Sequence, residues 1–237
     1  MRLNDPALVR REYADESGLT ARMAAQALSA TGPDPYAVAF EAVAECEPQL
    51  VLEVGCGRGE LAERMNDQLD ARVVAVDQSE RMVELTRARG VEAIVADVQD
   101  LPFRDAIFDG VVAAWMLYHA ADLDRALREL RRVLRPDGRL VAATSSERNL
   151  GGLWELVGEI GAPSDGFSAE NGEWALLRHF TIVERRDVHG TVTFQDREAA
   201  HRHISASPTR AELADNLPFF DGPLHASRHV VVFVCEP

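Results

Sequence analysis

Residues 50–61 read LVLEVGCGRGEL, and this stretch limits what the chain can fold into more than any other. An apolar run, Leu50-Val51-Leu52, passes through Glu53 and Val54 into three glycines at alternate positions, Gly55, Gly57 and Gly59. An amphipathic pattern then starts at Glu60-Leu61-Ala62. The order predicts a buried strand, a tight turn and the start of a helix. Glycine has no Cβ, so such a turn can take positive φ and let a ligand lie against the backbone. The first turn of the helix adds unpaired N–H groups. Strand, glycine turn and helix together outline a nucleotide-type site.

The residues that follow alternate between two patterns. Strands are predicted at 72–76, ending at Asp77, at 91–96, ending at Asp97, at 107–114, ending near Trp115, and at 139–144. Helices are predicted at 80–89, with Ser79 as cap and Gly90 as terminator, and at 122–134, where Leu123, Ala126, Leu127, Leu130, Val133 and Leu134 recur at helical spacing. Pro136-Asp137-Gly138 reads as a turn. Short apolar strands separated by helices predict a doubly wound, mostly parallel α/β sheet with both faces covered and a site at the C-terminal strand ends. Ahead of this core, residues 7–30 and 36–46 read as helices around the break at 31–35. Behind it, 154–160, 171–179 and 196–206 read as helices, and 180–183, 191–194 and 230–234 as strands. The last of these is apolar enough that it should rejoin the main sheet. One domain is expected over residues 1–237, with a helical cap (1–47), a core (48–145) and an acceptor-side cover with final strands (146–237).

Composition narrows the ligand. The 39 acidic residues outnumber the 25 basic ones, every one an arginine, for a formal net charge of −14. A broad phosphate-binding face needs clustered cations, so nucleic acid is not the expected partner. The largest basic run, Arg131, Arg132 and Arg135, sits where a helix ends and complements its dipole. Cys46, Cys56 and Cys235 are too scattered for a disulfide framework or a metal site. The first six residues lack a signal-peptide core, and no window approaches the ~18–20 apolar residues that span a bilayer. A cytoplasmic protein without a membrane partner is expected.

Acids stand at three strand ends, Glu53, Asp77 and Asp97. Asp77 lies where a carboxylate accepts from both hydroxyls of a ribose. A dinucleotide reading would need a third glycine at position 60, which is Glu60 and would repel a pyrophosphate. Glu53 suits a cationic ligand group instead.

The blocks VLEVGCGRGEL, VVAVDQSERMVELTRARG, ADVQDLPF and FDGVVAAWMLYHAADLDRALRELRRVLRPDGRLVAAT, in this order, resemble the class I S-adenosylmethionine-dependent methyltransferases. More narrowly they resemble the type 11 group, which includes ubiquinone/menaquinone C-methyltransferases. The resemblance covers about residues 48–145. It implies a seven-stranded Rossmann-like sheet with the last strand antiparallel, S-adenosyl-L-methionine as cofactor and S-adenosyl-L-homocysteine as product. By that resemblance Glu53 and Gly55 lie near the methionine moiety, Gly57 makes room for the cofactor and Cys56 contributes backbone. Asp77 holds the ribose with Gln78 beside the adenosine, Asp97 and Val98 read the adenine edge, and Trp115 approaches the methyl group. Tyr13 and Arg22 on the N-terminal helix close over the cofactor.

A small-molecule acceptor with an oxygen, nitrogen or carbon nucleophile is expected. The alternatives are a non-catalytic S-adenosylmethionine-binding regulator, or an enzyme acting on protein or RNA. Ala114-Trp115-Met116-Leu117-Tyr118 lacks the Asn/Asp-Pro-Pro-Tyr pattern of methyltransferases that act on base amino groups. His119, just beyond the fourth strand, is the candidate general base for a hydroxyl acceptor, set against a purely structural role. Tyr118 is a weaker candidate. His201 and His203, two apart on one helix, do not share a face, so no metal site is expected. His179 and His189 read as surface residues. Trp154, Phe167 and Trp174 are candidates to line an acceptor pocket.

Overall fold

The computed structural model describes residues 3–14, 18–20, 30–159, 166–207 and 209–237. Among these residues the frame is an eight-stranded sheet. In chain order the strands are β1 (Ala30–Thr31), β2 (Leu50–Val54), β3 (Arg72–Asp77), β4 (Glu92–Val95), β5 (Phe108–Ala114), β6 (Leu134–Ser145), β7 (Ile182–Phe194) and β8 (Leu224–Glu236). Across the sheet they run β1-β7-β8-β6-β5-β2-β3-β4. The five from β4 to β6 are parallel, and β8 pairs antiparallel with both β6 and β7. The antiparallel last strand is as expected; the eighth strand is the two-residue β1, which joins the edge of β7.

The helices include α1 (Pro6–Glu12), α2 (Pro35–Ala44), α3 (Glu60–Gln68), α4 (Glu80–Ala88), α5 (Leu123–Val133), α6 (Gly151–Leu156), α7 (Gly172–Leu177) and α8 (Arg197–Ser205). Strand residues alternate between two apolar layers. Leu52, Val54, Val76, Val111 and Ala113 pack with Leu127, Leu130 and Phe167 on one face. Val51, Val73, Ala75 and Val112 pack with Ala39, Val43, Leu61 and Met65 on the other. Burial of both faces is why these strands read as unbroken apolar runs. Neighbouring strands succeed β2 in opposite directions, β3 on one side and β5 on the other, so a crevice opens between the C-terminal ends of β2 and β5.

Four expectations need correction. Pro136-Asp137-Gly138 is not a separate turn. It bulges within β6, where five steps from Leu134 to Arg139 oppose two from Phe108 to Gly110. Proline has no N–H for the ladder, which fits a bulge better than a paired position. The strands expected at 180–183 and 191–194 are one thirteen-residue strand, β7, paired along its whole length with β8. Its middle, Glu184-Arg185-Arg186-Asp187, is polar because those side chains form ion pairs at the rim, Arg185 with Asp187 and Arg186 with Glu45 and Glu184. The last strand, expected at 230–234, begins six residues earlier, at Leu224. Finally, the first helix closes at Glu12 with Tyr13 as its C-cap, and residues 18–20 are helical again, so the stretch predicted as one helix is interrupted. Residues 15–17 and 21–29 of that predicted helix lie outside the described residues.

Candidate functional site

A cleft of about 250 Å³ opens at the crevice between β2 and β5. Every sequence-predicted site residue except Arg22, which lies outside the described residues, lines it: Tyr13, Glu53, Gly55, Cys56, Gly57, Asp77, Gln78, Asp97, Val98, Trp115 and His119.

The glycine turn forms the floor. Gly55 has φ 69°, and a Cβ there would lie 2.5 Å from the Met116 side chain. Gly59 caps α3 with φ 82°, and its Cβ would strike Thr86 at 2.6 Å. Both positions therefore exclude a side chain by conformation and by space. Asp77, at the end of β3, accepts from the Gly57 N–H through Oδ2 and the Ser79 N–H through Oδ1, each at 2.9 Å. Burial raises its pKa, while N–H groups of Ser79, Gly57 and Gln78 oppose that. Each carboxylate oxygen keeps further acceptor capacity.

Glu53 is more extreme. It is 3% exposed, and its Oε2 has no hydrogen-bond partner among the described residues. Burial first, then the charges of Asp77 and Glu60, push its carboxyl up to about 8. A buried acid with an unsatisfied oxygen at a cleft wall is a costly arrangement that a cationic or hydrogen-bonding ligand relieves. Asp97 is engaged locally, its Oδ1 accepting from the Gln99 N–H at 2.8 Å and its carboxylate from the Gln99 amide. Cys56 is buried against Thr86, and burial pushes its thiol up, so it is not a nucleophile at neutral pH.

Trp115 terminates β5 with φ 54°, a left-handed conformation that costs a non-glycine residue of order 1–3 kcal/mol. That turn lays its ring on Tyr36, with centroids 4.4 Å apart. Tyr36 and Met116 also line the cleft, and the sequence reading did not place them there. Tyr36 opens the helix predicted at 36–46; only packing of α2 against β5 brings it to the strand ends.

The N-terminal segment roofs the cleft. The Ser79 hydroxyl donates to the Tyr13 carbonyl at 2.6 Å, and Arg58 donates to the Thr20 hydroxyl at 2.9 Å. His119 sits on the one-turn 3-10 helix Leu117–His119. Its Nδ1 lies 2.8 Å from the Leu3 carbonyl and its Nε2 2.8 Å from the Tyr13 hydroxyl. A carbonyl only accepts, so Nδ1 carries the proton, and in the neutral ring Nε2 accepts from Tyr13.

Other candidates fall elsewhere. Trp154 and Phe167 line a second cavity, whereas Trp174 is exposed under Arg178. His203 is buried against Phe194, and His201 reaches Ser205. His179, expected at the surface, is largely covered and bonds Asp124 at 2.9 Å. Asp187, His189 and His229 bring ligand-type atoms within 4.8 Å of one another, a cluster the sequence reading did not anticipate. The Asp187 carboxylate there is held by the Arg185 guanidinium. In the basic run, Arg132 pairs with Glu129 and Asp105, and Arg135 with Asp109.

Residues 52–142 match the family model described as a methyltransferase domain. The demethylmenaquinone methyltransferase of Symbiobacterium thermophilum is 36% identical over 107 residues, 41% of this chain and 43% of that protein. The probable tRNA methyltransferase 9B of Homo sapiens is 37% identical over 95 residues, 39% of this chain and 20% of that protein. The chain spans less than half the length of the curated relatives it matches. Over the whole chain, the fold is similar to an N-methyltransferase of Haemonchus contortus solved with phosphomonomethylethanolamine and S-adenosylhomocysteine. The TM-score is 0.63 at 15% identity, covering 100% of this chain and 61% of that one.

Proposed function

We propose that this chain, whose residues 52–142 match a methyltransferase-domain model, transfers a methyl group from S-adenosyl-L-methionine to a small-molecule acceptor. The observation that carries this reading is the pair of acids at adjacent strand ends, Glu53 and Asp77, facing one cleft over a glycine turn. The cleft fits the donor chemically. Glu53 offers a buried, unpartnered oxygen to a cationic group, and Asp77 offers acceptor capacity to a ribose. Gly55 and Gly57 would carry the methionine half, Gln78, Asp97 and Val98 the adenosine, and Trp115 the side nearest the methyl. Tyr13 would close the roof.

When bound, the donor supplies a methyl group on a sulfonium, an electrophile that needs no covalent help from protein. The chain's task is to bind both partners and hold them in line, which is worth roughly 7–11 kcal/mol of barrier. For an acceptor that must lose a proton, His119 is the base. The acidic net charge and the paired basic run favour a small molecule over RNA.

Titration calorimetry with S-adenosylmethionine and S-adenosylhomocysteine tests the donor, and transfer of a labelled methyl into a metabolite extract tests the reaction. Asp77→Ala should weaken donor binding by roughly 2–3 kcal/mol, the worth of hydrogen bonds to a charged group. Unchanged affinity would remove Asp77 from the ribose site.

A further inference from the structure

Beside the cleft lies a second cavity of about 270 Å³ at the C-terminal end of β6. Tyr13, Tyr118 and His119 line both spaces and so form the partition between them. We propose that this second cavity holds the methyl acceptor, and that the acceptor is an uncharged aromatic molecule bearing a hydroxyl whose proton leaves through Tyr13 to His119. The inference rests on the methyl-donor reading of the first cleft and deepens it by naming the acceptor class.

The walls argue for the class. Trp154, Phe167 and Tyr118 give the cavity flat apolar surfaces, while Thr144, Ser146 and Asn149 give it neutral polar groups. Its two full charges each already have a partner within the chain, an ion pair for the cation and a hydroxyl for the carboxylate. Arg210 pairs with Glu159 at 3.0 Å and lies over the Trp154 ring at 4.7 Å, and Glu147 accepts from the Ser168 hydroxyl at 3.0 Å. A charged acceptor would have to compete with those partners or be desolvated without one. A planar molecule with hydroxyl groups meets aromatic faces and neutral polar groups at no such cost.

The partition argues for the hydroxyl. The Leu3 carbonyl fixes the proton of His119 on Nδ1, so Nε2 presents a lone pair that the Tyr13 O–H occupies. An acceptor hydroxyl that meets the Tyr13 oxygen passes its proton there as the Tyr13 proton moves to Nε2. The acceptor's freed oxygen pair forms the new bond to the donor methyl, and the pair of the broken methyl–sulfur bond stays on sulfur. The imidazolium, still donating from Nδ1 to Leu3, then returns its proton to solvent.

The test uses the full chain saturated with S-adenosylhomocysteine and four ring-matched probes: naphthol, methoxynaphthalene, naphthoate and naphthylmethylammonium. Calorimetry should find naphthol bound tightest, and Trp154→Ala should weaken it about tenfold, the worth of an aromatic contact, with S-adenosylhomocysteine affinity unchanged. With S-adenosylmethionine, naphthol should be methylated. Tyr13→Phe and His119→Gln should each slow that transfer roughly 100-fold or more, and His119→Gln should also erase the fall of rate at acid pH. Naphthoate or naphthylmethylammonium binding as tightly as naphthol would overturn the proposal. So would a Trp154→Ala variant with full naphthol affinity, or a His119→Gln variant that keeps both rate and acid limb. Failure of S-adenosylhomocysteine to bind at all sinks the donor reading first; binding of it without naphthol sinks only the acceptor assignment.

Discussion

Glu53 carries the most telling electrostatics of any single residue in the site. Its carboxyl is pushed from an ordinary value of 4.5 up to about 8 by burial and by Asp77 and Glu60. The folded chain therefore holds a proton that the unfolded chain has lost across that window, so stability falls as pH rises from about 4.5 to about 8. Glu53→Gln should flatten this slope in thermal melts taken between about pH 5 and 9, and leave the variant more stable than the parent at the alkaline end. A cationic donor needs the ionised form. Binding near neutral pH should then release a proton, visible as a calorimetric enthalpy that changes with the buffer's own ionisation heat; in Glu53→Gln that dependence should vanish. This acid was legible as a cleft residue from its place before the glycines. That it is almost wholly buried was not, because the groups close around it, Tyr36 of α2 and Glu60 of α3, come from other elements.

At the scale of elements, α4 links fold and site. Ser79 caps it, accepting from the Met82 N–H at 3.3 Å, and the same hydroxyl donates to the Tyr13 carbonyl. Ser79→Ala should cost about 1 kcal/mol of stability through the lost cap. It should also speed donor release in stopped-flow displacement, because the roof loses a tether; an unchanged release rate with a lowered urea midpoint would confine Ser79 to capping. The cap was readable, as Ser79 precedes an amphipathic run closed by Gly90. The tether was not, since it joins residues 66 positions apart. The polar middle of β7 was unreadable for a related reason: its stability comes from pairing along β8 and from rim ion pairs, neither of which leaves a local periodicity.

For the whole molecule, the late strands carry part of the buried core. Phe233 on β8 is fully buried, packs on Phe167 with ring centroids 5.8 Å apart, and sits at the middle of the β6-β8-β7 ladder. Phe233→Ala should destabilise the chain by about 3–5 kcal/mol in urea unfolding. Arg186→Ala, which removes only half-exposed ion pairs with Glu45 and Glu184, should cost under about 1 kcal/mol. Comparable losses from the two would mean that the strand pair depends on its rim rather than its core. Among the described residues, no helix is long and apolar enough to cross a membrane.

By itself the sequence determined the parallel core, the glycine turn and the acids at its strand ends, because each is written in neighbouring residues: an apolar run, a missing Cβ, a carboxylate at the next position. It also marked His119, Tyr13, Trp154 and Phe167 as candidates without relating them. Only the tertiary structure decided that Tyr13 and His119 share a hydrogen bond across 106 positions, and that both stand between two cavities. The physical reason is that the partition is built where the N-terminal segment, the end of β5 and the residues after β6 meet, and chain folding, not chain order, brings those three together.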